Sequence, residues 1–298
     1  MIFLLLTFSL SVFSQDDTIR VDTDLVTLPV NVIDRDGKFI TGLNEKNFTI
    51  YEDSEQQKVE FFRSVDAPIT LMVLLDISGS MVPHYQELAA AADEFVKQLK
   101  PDDTILVATF ADNPRLIVGP TAVREIDKGI RIYANPEDKN TMLYDGIEFG
   151  FKKLKKVTGR KMIVLFSDGI GEGLFASAKE NLQDADESDT LVYTIRFQPQ
   201  FFGKDKGSIK RFEKAKAKSL QFMNDLADRS GGRSFQIDDI SDLSMTFTRI
   251  ALEISGQYTL GYYPKKTGKE GERRKIRVEV DVPNAAVRSR SEVVFKKK

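Results

Sequence analysis

Ile69-Thr70-Leu71-Met72-Val73-Leu74-Leu75-Asp76-Ile77-Ser78-Gly79-Ser80 is the stretch that decides the fold. Its nearly unbroken apolar run reads as a central parallel strand covered on both faces. The run ends on a carboxylate and enters a glycine-containing turn that carries hydroxyls at alternate positions. Ligands of open α/β sheets sit just beyond the carboxyl ends of strands, where the strand order reverses. Asp76, Ser78 and Ser80 therefore offer three hard oxygen donors at the place where such a sheet binds. Oxygen donors of this kind suit Mg2+ (or Mn2+ or Ca2+) and not soft-ligand metals.

Downstream, short apolar runs alternate with helical patterns as far as about residue 254, the signature of a parallel α/β sheet. A helix is expected from about Pro83, a residue suited to the first helical position, with Leu88, Ala92, Phe95, Val96 and Leu99 on one face. Thr104 to Phe110 reads as the next strand, with Leu116-Ile117-Val118 as a short antiparallel partner. Met142 to Val157 reads as a helix with Leu143, Ile147, Phe151 and Leu154 inward. Lys161 to Ser167 is a second buried strand, ending at Asp168-Gly169. A helix near 174–187, a strand over Leu191 to Phe197, a helix near 212–229 stopped by Gly231-Gly232, a strand at Ser234 to Ile237 and a helix over 242–255 complete this part. The basic, Phe-containing segment from Gln198 to Lys218 reads as an unusually long connection, with Phe201, Phe202 and Phe212 as a candidate partner or membrane-surface loop.

Strand patterns flank this region on both sides. Leu25 to Val32 alternates, Asp36-Gly37 is a hairpin signal, and Phe48 to Tyr51 precedes a turn at Glu52-Asp53-Ser54, with Val59 to Phe62 beyond it. After the α/β region come Tyr258 to Tyr263, Lys275 to Val282 and Val287 to Phe295. Neither flank alone holds many strands, and open edges invite aggregation. The expectation is a doubly wound, mostly parallel α/β sheet over 68–255 inserted into a small Ig-like β-sandwich made by 20–64 together with 256–296. At about 150 residues per domain, 298 residues suit that division.

Composition removes several chemistries. The chain has no cysteine and one histidine, His84, which excludes disulfide frameworks, thiolate zinc sites, iron–sulfur clusters, cysteine nucleophiles and multi-histidine metal sites. The net charge of −2 provides no overall field for nucleic acid or anionic membrane. Residues 1–14, MIFLLLTFSLSVFS, carry no charge. They suit the apolar core of a secretory signal with a cut after Ser14 and are short for a membrane span. Export to the periplasm or the extracellular space is expected, with no transmembrane span in the mature chain; an uncleaved N-terminal anchor is the alternative.

A second carboxylate, Asp168, ends another buried strand, and Thr141 heads the helix between the two. With these residues the sequence resembles the von Willebrand factor A (VWA) family, whose metal-ion-dependent adhesion site (MIDAS) follows Asp-x-Ser-x-Ser with a distant Thr and a distant Asp. Asp76, Ser78, Ser80, Thr141 and Asp168 match all five positions. The runs Thr141-Met142-Leu143-Tyr144-Asp145 and Leu165-Phe166-Ser167-Asp168-Gly169 are similar to those of bacterial members. Val32 to Lys38, Phe48 to Asp53 and Gln257 to Pro264 resemble the flanks of exported, acidobacterial-type VWFA-related proteins. The resemblance implies that the serines and Thr141 bind a cation directly and that Asp76 and Asp168 act largely through waters. It also implies a vacant position for an Asp or Glu of a protein partner, and coupling of that site to the helix over 242–255 in members whose site switches.

The same residues admit other readings. Asp76 and Asp168 as turn or capping aspartates lose ground once five positions match. Asp145 reads as a first-turn acid favoured by the helix dipole. A Ser80–His84 hydrolase lacks a Gly-x-Ser-x-Gly elbow, and no phosphate-binding Gly-x-x-x-x-Gly-Lys is present. The function expected is therefore a non-enzymatic, cation-dependent protein-binding module of an exported bacterial protein. The alternative is an envelope scaffold whose sandwich carries the interaction.

Overall fold

The structure, a computed structural model, describes residues 25–127, 129–133, 138, 140–198 and 205–295. The expected signal segment 1–14, Phe201 and Phe202 lie outside them. The chain opens with β1 (Val26–Ile33), β2 (Phe48–Glu52), β3 (Glu55–Gln57) and β4 (Phe61–Arg63). The α/β part follows as β5 (Ile69–Asp76), α1 (Tyr85–Lys97), β6 (Thr104–Phe110), β7 (Arg115–Ala122), α2 (Leu143–Leu154), β8 (Arg160–Ser167), α3 (Ala178–Glu187), β9 (Leu191–Phe197), α4 (Lys206–Ser230), β10 (Ser234–Ile237) and α5 (Leu243–Ser255). The chain then returns through β11 (Gln257–Tyr262), β12 (Arg273–Val280), β13 (Ala286–Ser289) and β14 (Glu292–Val294).

The six-stranded sheet has the order β10-β9-β8-β5-β6-β7. All its neighbours are parallel except β6 and β7, which are antiparallel. Every residue of β5 but Thr70 is buried, as an apolar run covered on both faces requires. On one face α1 and α5 pack through Leu88, Phe95, Phe247 and Ile250, with the Phe95 and Phe247 rings stacked at 4.6 Å. On the other face α2 and α4 bring Ile147, Phe151, Met223 and Leu226 against Leu74, Ile163 and Val192. The order leaves β5 towards β6 on one side and resumes with β8 on the other, so the reversal falls between β5 and β8.

Two antiparallel sheets, β13-β1-β11-β4 and β14-β12-β2-β3, enclose a separate core of Leu28, Val30, Ile50, Tyr258, Leu260 and Ile276. Each sheet mixes strands from both chain flanks: β1 pairs β11, and β12 pairs β2. The architecture is thus a mostly parallel α/β sheet set between the two halves of an antiparallel sandwich. Glu52, Tyr262 and Arg274 tie the two sheets together inside it. The Tyr262 hydroxyl donates to Glu52 Oε1 at 2.8 Å, and Arg274 Nη1 donates to Glu52 Oε2 at 2.9 Å.

Several expected boundaries are corrected. Pro83 lies within a 3-10 turn, Gly79–His84, and α1 begins only at Tyr85, leaving Leu99 just beyond its end. The segment before Lys218 is not an extended connection: α4 starts at Lys206, capped by Asp205, which accepts from Gly207 and Ser208 N–H. Its first turns are largely solvated, so the sequence pattern shows the helix only from about residue 212 onward. Helix α3 begins at Ala178 after an irregular loop. The last predicted strand is two strands in different sheets, β13 and β14, separated by buried Arg290. That guanidinium donates to the carbonyls of Ser188 and Ser230, which breaks the alternation. Among the described residues no helix is long and apolar enough to cross a membrane.

Candidate metal centre

The ends of β5 and β8 meet at the strand-order reversal, and their side chains are cross-linked. The buried Asp76 carboxylate accepts from Ser78 N–H at 2.9 Å and from the Ser167 hydroxyl at 2.5 Å. Ser80 Oγ donates to Asp168 Oδ2 at 3.0 Å, and the Ser78 and Ser80 hydroxyl oxygens lie 3.3 Å apart. Four of the five predicted residues, from segments 88 positions apart, thus form one hydrogen-bonded cluster. Thr141 reaches the same edge by its backbone. Its carbonyl accepts from Glu172 N–H at 2.9 Å, in the loop leaving Asp168, and the next residue, Met142, donates to Ala111 O after β6. The Thr141 hydroxyl makes no hydrogen bond to the other four.

The local conformations have identifiable causes. Ile77 N–H donates to Phe110 O and Met81 N–H to Ser78 O, which fix the turn after β5 between its neighbour strand and the 3-10 turn. The Tyr85 hydroxyl donates to Ile77 O from the first turn of α1. Asp168 Oδ1 accepts from Ile170 N–H at 2.8 Å, and its carbonyl accepts from Ser219 Oγ of α4 at 2.8 Å. Gly169 has φ +72, and a Cβ there would lie 2.1 Å from Ser219 Oγ, so both the backbone region and the close approach demand glycine.

Electrostatically the cluster is under tension. Burial, with the Asp168 charge adding to it, pushes the Asp76 carboxyl up to about 7. Burial also raises Asp168, partly offset by its hydrogen bonds from Ile170 and Ser80 and by the Arg196 guanidinium. Two carboxylates side by side in a buried setting favour a bound dication or a retained proton. Among the described residues no group of three or more His, Cys, Asp or Glu side chains suits a metal ion. The donors here are two carboxylates supplemented by hydroxyls, and the observed spacing fits. Bonds of 2.0–2.1 Å in an octahedral Mg2+ shell put adjacent oxygens about 2.9 Å apart, and the two serine hydroxyl oxygens that would bind directly lie 3.3 Å apart.

Two residues play parts that sequence reasoning missed. Ser167 bridges the strand ends: its hydroxyl donates to Asp76 while accepting from Gly169 N–H at 2.9 Å. Asp145 is not merely a first-turn acid. Its buried carboxylate accepts from Leu174 N–H at 2.6 Å and from Phe175 N–H at 2.8 Å, which clamps the loop after β8 onto α2. That loop displays Leu174 and Phe175 at 67% and 79% exposure. The Ser80 hydroxyl bonds to Asp168 and not to His84, whose ring meets Phe197 edge-on at 5.1 Å.

A family profile for the von Willebrand factor type A domain matches residues 71–170, the span from β5 to just past Asp168. The chain carries a VWA domain. Among solved structures, proximal thread matrix protein 1 from the mussel byssus aligns with TM-score 0.50 and 15% identity over 74% of this chain and 51% of that one. A form of the same protein described as having a zinc-occupied MIDAS motif aligns at TM-score 0.49 and 13% identity, over 69% and 50%. A von Willebrand factor type A protein from Catenulispora acidiphila aligns at 0.48 and 10% identity, over 94% of this chain and 76% of that one. This chain covers about half the length of the mussel protein. At these identities the likeness concerns the fold alone. No curated protein matches the sequence.

Proposed function

We propose that this chain is a divalent-cation-dependent protein-binding module of an exported bacterial protein, and that it makes and breaks no covalent bond. The observation that carries the reading is the Ser80–Asp168 hydrogen bond, which joins the first motif to the distant aspartate where the strand order reverses. Asp76, Ser78, Ser80, Thr141 and Asp168 would hold the ion, Mg2+ before Mn2+ or Ca2+, because every donor is oxygen. When bound, the ion supplies a Lewis-acidic position for an Asp or Glu of the partner. The chain's own residues do the rest. Ser167 and Ser78 N–H orient Asp76, Ile170 N–H and Ser80 orient Asp168, and the clamped loop presents Leu174 and Phe175 beside the site. A hydrolytic reading is disfavoured because Ser80 bonds to Asp168 and the one histidine packs on Phe197. The uncharged segment 1–14 supports export.

Calorimetric titration of the full chain with Mg2+ tests the reading. Wild type is expected to give saturable heat that Asp76→Ala removes. Indistinguishable heats in the two proteins would remove the metal site and the binding mode with it.

A further inference from the structure

A cavity of about 310 Å3 opens at the foot of the α/β sheet, between the sandwich and the amino ends of β8 and β9. It lies at the opposite end of those strands from Asp76 and Asp168. Its apolar walls come from both parts of the molecule: Pro29 and Phe61 from the sandwich, Met162 and Leu191 from the sheet. Its charges are unbalanced, with Arg63, Arg160 and Lys161 facing one carboxylate, Asp189. Lys161 is satisfied by Asp189 at 2.8 Å, which leaves two guanidiniums.

Neither guanidinium has an acidic partner within ion-pair distance among the described residues. Arg63 rests on the Phe61 ring, 5.2 Å from its centroid. Arg160 is 5% exposed and spends its Nη groups on the carbonyls of Val65, Ala67 and Ile254, and its Nε has no hydrogen-bond partner. Burial, with Arg63 adding to it and the more distant Asp103 and Asp66 carboxylates partly offsetting it, lowers Arg160 to about 10, so it stays cationic at neutral pH. A buried charge without a directly paired counter-charge is costly, and a buried donor left unmade is too.

We propose that this cavity is a second binding site, for a small amphipathic carboxylate whose anionic head meets Arg63 and Arg160 and whose apolar body lies along Pro29, Phe61, Met162 and Leu191. The volume is at the lower end of the range of small-molecule pockets. At roughly 30 Å3 per water-sized group it holds about ten non-hydrogen atoms, the size of octanoate. A purely ionic ligand would leave the apolar walls unused, and a neutral one would leave the guanidiniums uncompensated. Because the walls belong to both parts of the chain, an occupant would bridge them.

The test is calorimetric titration of the full chain with octanoate, octanol and inorganic phosphate. Saturable octanoate binding is expected, with octanol and phosphate weaker. Arg63→Met keeps the apolar stem of a half-buried residue and removes the charge. It should weaken octanoate about 10- to 100-fold, the worth of a charge-assisted hydrogen bond. Thr27→Phe, which fills the cavity without altering charge, should remove binding, while Mg2+ heats stay as in wild type. Absence of octanoate binding, equal affinity for phosphate, or indifference to Arg63→Met would each overturn the proposal.

Discussion

Making the Asp76 side chain permanently neutral should change how stability depends on pH, in a direction set by its surroundings. A carboxyl held at about 7 instead of 3.8 binds its proton more tightly in the fold than in the unfolded chain. At 1.36 kcal/mol per pH unit the difference is about 4 kcal/mol. With the folded value raised, this contribution is fully present below about pH 3.8, declines as pH rises and is gone once pH passes about 7. In protein stripped of divalent cations, about 2–3 kcal/mol of the loss should fall between pH 5 and 8, with Asp168 acting in the same direction. Asp76→Asn keeps the shape and an acceptor for Ser78 N–H but has no proton to lose, so its curve should be flatter by that amount. Urea unfolding in chelator, followed by far-UV circular dichroism because the chain has no tryptophan, measures both proteins at each pH. Parallel stability–pH curves would refute the reasoning. A wild type that gains stability from pH 5 to 8 while Asp76→Asn does not would refute it more sharply, since the sign itself would be wrong.

Other outcomes follow from single contacts. At pH 8, Mg2+ at a hundred times its dissociation constant should stabilise wild type by about 2.7 kcal/mol and leave Asp76→Ala unmoved, as read by thermal denaturation. Gly169→Ala should cost about 1–3 kcal/mol in urea titration, and adding Ser219→Ala should recover the steric part but not the φ part. Asp145→Ala should free the backbone N–H groups of Leu174 and Phe175, seen as faster hydrogen exchange and earlier proteolytic cutting there, with β8 still protected. Glu52→Ala leaves the Tyr262 hydroxyl buried without its acceptor and Arg274 with only Glu272 and the Lys266 carbonyl, and should destabilise the sandwich by about 1–3 kcal/mol; near-neutral denaturation midpoints would contradict the tie between its sheets.

The α/β core was readable because its strands are continuous apolar runs that end in chemistry: β5 at Asp76 and β8 at Asp168. Their meeting was readable too, because a distant aspartate at a second buried strand end has few other places to go. Ser167, Ser219 and Asp145 were not. Each acts through hydrogen bonds to a segment far along the chain, and a lone hydroxyl or carboxylate carries no periodic signal. The start of α4 was hidden for a different reason. Its solvated first turns are rich in lysine, and its cap at Asp205 is a single residue among many charges. The split of the last strand rests on Arg290, whose burial is decided by carbonyls of α4 and the α3–β9 loop, not by its neighbours in sequence.

The way the chain leaves and rejoins the sandwich has a consequence of its own. It departs after β4 and comes back into β11, and these two strands are hydrogen-bonded to each other, Arg63 opposite Thr259. Nearly two hundred residues are therefore hung from a gap one strand spacing wide, about 4.8 Å. A short loop across that gap would close the sandwich without disturbing a ladder, and any other globular unit whose ends lie together could be hung from the same two strands. The sandwich is a socket, and Arg290, which donates to Ser188 and Ser230 of the insertion, keys it to the unit it now holds.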